Sequence, residues 1–164
     1  MKYPLDKICI KSGVYCSSCQ RKIDSGEVTS DDIEVLKALI ELEDKLKFMK
    51  KGEFIKAVNL KDKSIVFIRN EFTVEEKKQL EEELSNLLGK KVRVVEYIGD
   101  LKKLIEQILY PATLYGINRV WIPGGSEIIN IRVSRRDKKF IKDKEEYEEL
   151  IAKIFNTQVK IVFE

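Results

Sequence analysis

"KKQLEEELSNLLGKKVRVVE", residues 77–96, decides the fold, because it comes back near the other end of the chain as "EEYEELIAKIFNTQVKIVFE", residues 145–164. Leu80, Leu84, Leu87 and Leu88 in the first copy have the spacing of Tyr147, Ile151, Ile154 and Phe155 in the second. Side chains at i, i+4, i+7 and i+8 share one face of an α-helix, so each copy predicts a helix with that stripe buried. Each helix then runs into a β-branched stretch, "VRVVE" (92–96) or "VKIVFE" (159–164), which predicts a strand.

The likeness extends upstream. "SIVFIRN" (64–70) returns as "EIINIRV" (127–133), with "NLKDKS" (59–64) and "PGGS" (123–126) as hairpin turns. Ahead of each hairpin lies one more amphipathic helix: Thr29 or Ser30 caps "DDIEVLKALIELEDKL" (31–46), and Asp100 caps "LKKLIEQIL" (101–109), which Pro111 closes. The chain is therefore expected to be α+β, with helix, strand, strand, helix, strand written twice. Each unit should form a three-stranded sheet with helices on one face and the opposite face free. The expected divisions are a cysteine knuckle at 1–28, a first unit at 29–98 and a second at 99–164.

Of 164 residues, 31 are basic and 28 acidic, a formal charge of +3. So small an excess does not announce nucleic acid, and any such claim must rest on local clustering. The start "MKYPLDK" has no apolar signal core, and no run approaches the about 18 apolar residues of a membrane span. A cytosolic protein is expected. In that compartment three cysteines favour metal or thiol chemistry over disulfides.

Those cysteines lie in "CIKSGVYCSSCQRK" (9–22), in a chain without histidine. Cys16 and Cys19 make a CxxC pair that can reach one tetrahedral ion, and Cys9 precedes them across a segment turned by Gly13. Zinc suits that set. A structural site wants four ligands, so the last is Asp24, Asp31 or Asp32, a water, or a thiolate from another chain. The alternative is redox chemistry at Cys16 and Cys19, favoured by Arg21 and Lys22 but opposed by the polar turn in which the pair is expected to sit.

With the cysteine stretch, "GKKVRVVE" (89–96), "GINRVWIPGG" (116–125) and "VKIVFE" (159–164) in view, nearly the whole chain resembles archaeal NusA-like KH proteins, and the order of elements is that of two tandem type II KH domains. The resemblance implies RNA binding linked to transcription elongation or termination. A KH module clamps phosphates with a GxxG loop. Here "NEFTVEE" (70–76) and "VSRRDKKFIKD" (133–143) stand in the corresponding places without a glycine.

Other surfaces must then hold RNA. The first of those loops carries three acids and no base; the second offers Arg135, Arg136, Lys138, Lys139 and Lys142 after Arg132, with Phe140 interleaved. A solvated charged loop is the plainer reading. Strand alternation suggests a second surface: with Val66, Ile68, Ile129, Ile131 and Val133 facing the helices, Arg69 and Arg132 point away in equivalent positions. Arg93, Lys160, Arg119 and Trp121 are expected on that same outer face, where an aromatic among cations suits single-stranded RNA. No nucleophile elbow or Walker loop is present, and no enzyme, membrane or small-molecule role is expected. Docking on RNA polymerase or the ribosome, with RNA binding lost, is the competing role.

Overall fold

Gly13, at φ 75°, ends the first helix, α1 (Lys7–Ser12), in the left-handed conformation that only glycine adopts without strain. The chain turns back at once into α2 (Ser17–Asp24). Thr29 then caps α3 (Ser30–Glu43): its hydroxyl accepts the Asp32 N–H, and the Asp32 carboxylate accepts the Thr29 N–H. A 3-10 turn at Lys47–Lys51 leads into the hairpin β1 (Glu53–Asn59) and β2 (Lys63–Arg69). Thr73 and Glu76 repeat the capping box at α4 (Val74–Leu88), and β3 (Lys91–Glu96) follows. The computed structural model describes residues 1–69 and 72–164, so residues 70 and 71 of the acidic loop lie outside the described residues.

The same order recurs: α5 (Leu101–Leu109), β4 (Leu114–Ile122), β5 (Ser126–Val133), a 3-10 turn at Arg135–Phe140, α6 (Lys144–Phe155) and β6 (Gln158–Phe163). Both sheets are mixed. β2 lies between β1, antiparallel, and β3, parallel; β5 lies between β4, antiparallel, and β6, parallel. Even the irregularity is shared: one bulge falls between Phe54 and Lys56, opposite Ile68 and Phe67, and the other between Leu114 and Gly116, opposite Val133 and Arg132.

The chain divides into Met1–Tyr97 and Ile98–Glu164. The cysteine segment is therefore no separate knuckle. Leu5, Cys9, Ile10, Cys19 and Val28 share one apolar core with Val35, Leu36 and Leu39 of α3 and with Leu80 and Leu84 of α4. Lys7 reinforces this by reaching Glu43 at 2.7 Å. Val66, Ile68, Val92 and Val94 complete that core from the sheet, as alternation requires. Leu87 departs from the expected stripe: it is 45% exposed and lines an open groove beside Leu88.

The expectation of a free face fails in the first unit. Val58, Ile65, Phe67 and Val95, which alternate with the helix-facing residues, are 0–6% exposed. Both faces of that sheet are buried, as the near-continuous apolar run of β2 reflects. In the second unit Ile129, Ile131, Val133, Val159 and Ile161 are buried with Leu104, Ile105, Ile108, Leu150 and Ile151. The alternate face is more polar and more open: Asn118 and Lys160 are exposed, while Asn130 and Arg132 are half-buried.

Asp32 ties helix to sheet in the first unit. It is 4% exposed, and besides capping α3 it accepts the Ala57 N–H of β1 at 2.7 Å. Asp32→Ala should lower the stability of this unit by about 3 kcal/mol, since two N–H groups lose a charged acceptor. Urea titration of both proteins measures it, and a loss below about 1 kcal/mol would contradict this role.

Candidate functional site

Two sites stand out, one in each unit. In the first, Asp6, Cys9, Cys16 and Cys19 bring one carboxylate oxygen and three sulfurs within 4.8 Å of one another, with no disulfide, and could hold a metal ion. Asp6 occupies the N-cap of α1, yet its carboxylate makes no capping bond; it accepts instead from the Cys16 thiol at 3.7 Å. Cys16 is the N-cap of α2, Cys19 lies in its first turn, and Cys9 comes across from α1 because Gly13 reverses the chain.

Backbone groups are already aimed at the sulfurs. The Asp6 N–H points to Cys19 Sγ and the Cys16 N–H to Cys9 Sγ, each at 3.4 Å. Such bonds favour thiolates, as does the N-terminus of α2. The Cys16 thiol is held below its ordinary value by the Cys19 N–H and by the neighbouring thiols. The Asp6 N–H draws Cys19 down too, but burial and the adjoining thiols outweigh it and push Cys19 up to about 11. Cys9 and Cys19 are buried, whereas Asp6 and Cys16 face solvent.

The expected fourth ligands are engaged elsewhere. Asp24 accepts from Gln20 at 2.8 Å, Asp31 from the Asn59 N–H at 3.1 Å, and Asp32 holds β1. Asp6 had a visible signal: Asp6 and Cys9 are spaced as Cys16 and Cys19 are, a DxxC beside a CxxC. The expectation that the CxxC pair sits in a polar turn is also corrected, since it opens α2.

In the second unit Arg135, Lys138, Lys144 and Lys160 line an open groove of about 490 Å³ together with Ile161, Val162 and Phe163, and no acidic side chain takes part. The 3-10 turn presents the first two cations, the first turn of α6 the third and β6 the fourth. Among the described residues none of the four is in an ion pair. Nearby carboxylates are spent on backbone: Glu148 accepts the Ile161 N–H at 2.8 Å and Asp137 the Thr113 N–H at 2.8 Å. Lys138 Nζ lies 5.7 Å from the Phe163 ring centre.

The other expected cations are placed differently. Arg136, Lys139 and Lys142 are exposed but do not line the groove. Arg69 meets Glu53 at 3.7 Å and Tyr97, and Arg93 is half-buried beside Ile65. Arg132 reaches Glu164 at 3.7 Å, with its guanidinium in the space left by Gly116. Its place opposite the bulge is held in the first unit by Phe67, so Arg69 and Arg132 are not equivalent. Arg119 pairs with Ile129 and Trp121 with Glu127, which sets both on the helix-side face, opposite to Arg132 and Lys160. Lys144 was not foreseen, because its neighbours Glu145 and Glu146 make it read as part of a solvated helix face.

No family model matches the chain. No curated protein matches it either. Among solved structures, one described as "Crystal structure of APE1850" is similar with a TM-score of 0.60 and 18% sequence identity, over 84% of this chain and all of that one. At that identity the likeness is one of fold. No helix among the described residues is long and apolar enough to cross a membrane.

The burial of the thiols sets an order of reactivity. In chelator-treated native protein Cys16 should react with a disulfide reagent well before Cys9 and Cys19. A thiol assay followed by peptide mapping reads this, and equal rates at all three would contradict the arrangement.

Proposed function

We propose that this protein is a cytoplasmic RNA-binding factor of the archaeal NusA-like KH kind, acting in transcription elongation or termination and gripping single-stranded RNA by its phosphates in the second unit. The observation that carries this reading is the groove lined by four cations and no acid, none of the four in an ion pair among the described residues. Arg69, Arg119 and Arg132, by contrast, each meet a carboxylate. Four cations lining one groove repel one another, and a polyanion relieves that repulsion.

The repeated order of elements and the two mixed sheets support the KH part of the reading. In that family the phosphate clamp lies just before the last helix, where this chain has Ile141–Asp143 between the 3-10 turn and α6. Side chains take over the work of the missing glycine loop. Arg135 offers a planar fork to phosphate oxygens, and the lysines act as mobile point charges. Lys144 adds its charge where the N-terminus of α6 is already positive. Such contacts fix the backbone and read no bases.

We infer also that the first-unit centre takes zinc. Three thiolates and one carboxylate form a closed four-ligand set of the sort that suits structural Zn²⁺, and it is too soft for calcium or magnesium. Tetrahedral ligation with Zn–S near 2.3 Å spaces sulfurs about 3.7 Å apart, a small side-chain rotation from the present arrangement. The ion would clamp α1 to α2 beneath the core that Cys9 and Cys19 already join.

Two experiments follow. In single-stranded RNA titrations over a salt series, reversing Arg135, Lys138, Lys144 and Lys160 to Glu should flatten the log–log slope by about one unit per lost phosphate contact. Reversing Arg136, Lys139 and Lys142 should change it less, and equal effects would remove the groove from the account. For the metal, elemental analysis of gently purified protein should find one zinc per chain, with chelation destabilising the first unit. Metal-free protein whose stability ignores added zinc would overturn that part.

A further inference from the structure

The two sheets differ at one edge. In the first unit every exposed side of the sheet is closed by a named group: Asp32 and Asp31 accept the Ala57 and Asn59 N–H groups, and Lys2 bonds to Phe54. The far edge is closed likewise, since Ser85 and Glu81 of α4 accept the Val92 and Val94 N–H groups. In the second unit Glu148 closes β6 at Ile161, matching Glu81 at Val94. Among the described residues, none covers β4 in this way. The shared bulge makes Ile117 and Arg119 the counterparts of Ala57 and Asn59, yet among the described residues no acceptor stands before them, because α5 begins without acids in its first turn and Asp100 caps its own helix.

This bare edge is also apolar. Tyr115, Val120, Trp121 and Ile122 are all 37–68% exposed, and from Tyr115 to Ser126 the only charged residue is Arg119. Proteins ordinarily guard such an edge with lysine, proline or a covering segment. We propose that the β4 edge is an interface at which a second copy of this chain adds its own β4 antiparallel, joining two three-stranded sheets into one of six strands.

The sequence of β4 fits itself under a two-fold axis. Outward N–H groups fall on Ile117, Arg119 and Trp121, so these odd-numbered residues must meet one another across the axis. An axis at Arg119 would oppose two like charges. An axis at Val120 places Arg119 of each copy opposite Trp121 of the other, a cation–π pair made twice, and sets Val120 against itself. Each chain has one such edge, so association closes at two. A single strand edge with four apolar side chains lies at or below the low end of standard interfaces, about 1,200 Å², which makes the dimer a weak one.

The inference is independent of the RNA reading. Light scattering behind size exclusion, on the full chain from about 1 to about 200 µM, should give a mass rising from one chain toward twice 19.1 kDa and stopping there. Val120→Lys sets two cations against each other at the axis and should raise the dissociation constant at least about tenfold while the circular dichroism spectrum stays unchanged. On the wild-type protein, hydrogen exchange at 115–122 should slow as concentration rises, with Trp121 emission shifting to the blue. A single-chain mass throughout, with exchange at β4 independent of concentration, overturns the proposal. So does open-ended growth beyond two chains, or Trp121 emission that responds only to added poly(U), which would assign the edge to nucleic acid.

Discussion

A three-stranded mixed sheet leaves two unpaired edges and two faces, and the rest of this structure depends on how each is closed. Backbone N–H groups at an edge need acceptors if they are to leave water. In both units a glutamate of the helix before the last strand supplies one, Glu81 to Val94 and Glu148 to Ile161. A carboxylate bonded to backbone keeps its charge and can still meet a cation, as Glu76 does with the Thr73 N–H and Lys51.

The units have diverged around that common frame. The first is closed on every side: acids at the start of α3 hold β1, the N-terminal segment brings Cys9 and Cys19 into the core, and both faces of the sheet are buried. The second keeps its cations in a groove and its β4 edge bare. On this account the first unit serves as a metal-stapled body and the second as the part that meets a polyanion. The short sequence between β5 and α6 explains the division, since Arg135–Phe140 form a 3-10 turn that lifts Arg135 and Lys138 beside β6.

Much of the fold was legible because it is local. Thr29 and Asp100 do cap their helices, Leu80, Leu84, Tyr147 and Ile151 do face inward, and the hairpins form at 60–62 and 123–125. What escaped depended on register. The sides taken by Arg119 and Trp121 follow from their pairing with Ile129 and Glu127 across the hairpin, and the bulge at Leu114/Gly116 is what separates Arg132 from the place of Arg69. The burial of Phe67 and Val95 on the second face of the sheet is a tertiary fact that alternation alone does not reveal. At the candidate metal site the three cysteines were plain, and Asp6 joins them because Gly13 turns the chain back from α1 into α2. Lys144 was hidden by the glutamates that follow it, although strand and turn bring it beside Lys160.

The central claim is that RNA lies along the groove of the second unit, and photocrosslinking tests it most directly. Uridine-rich single-stranded RNA bound to the full chain at low salt, irradiated and mapped by mass spectrometry, should mark peptides covering 135–144 and 158–163. Crosslinks confined to the first unit, or none above those of an unrelated basic protein, would contradict it.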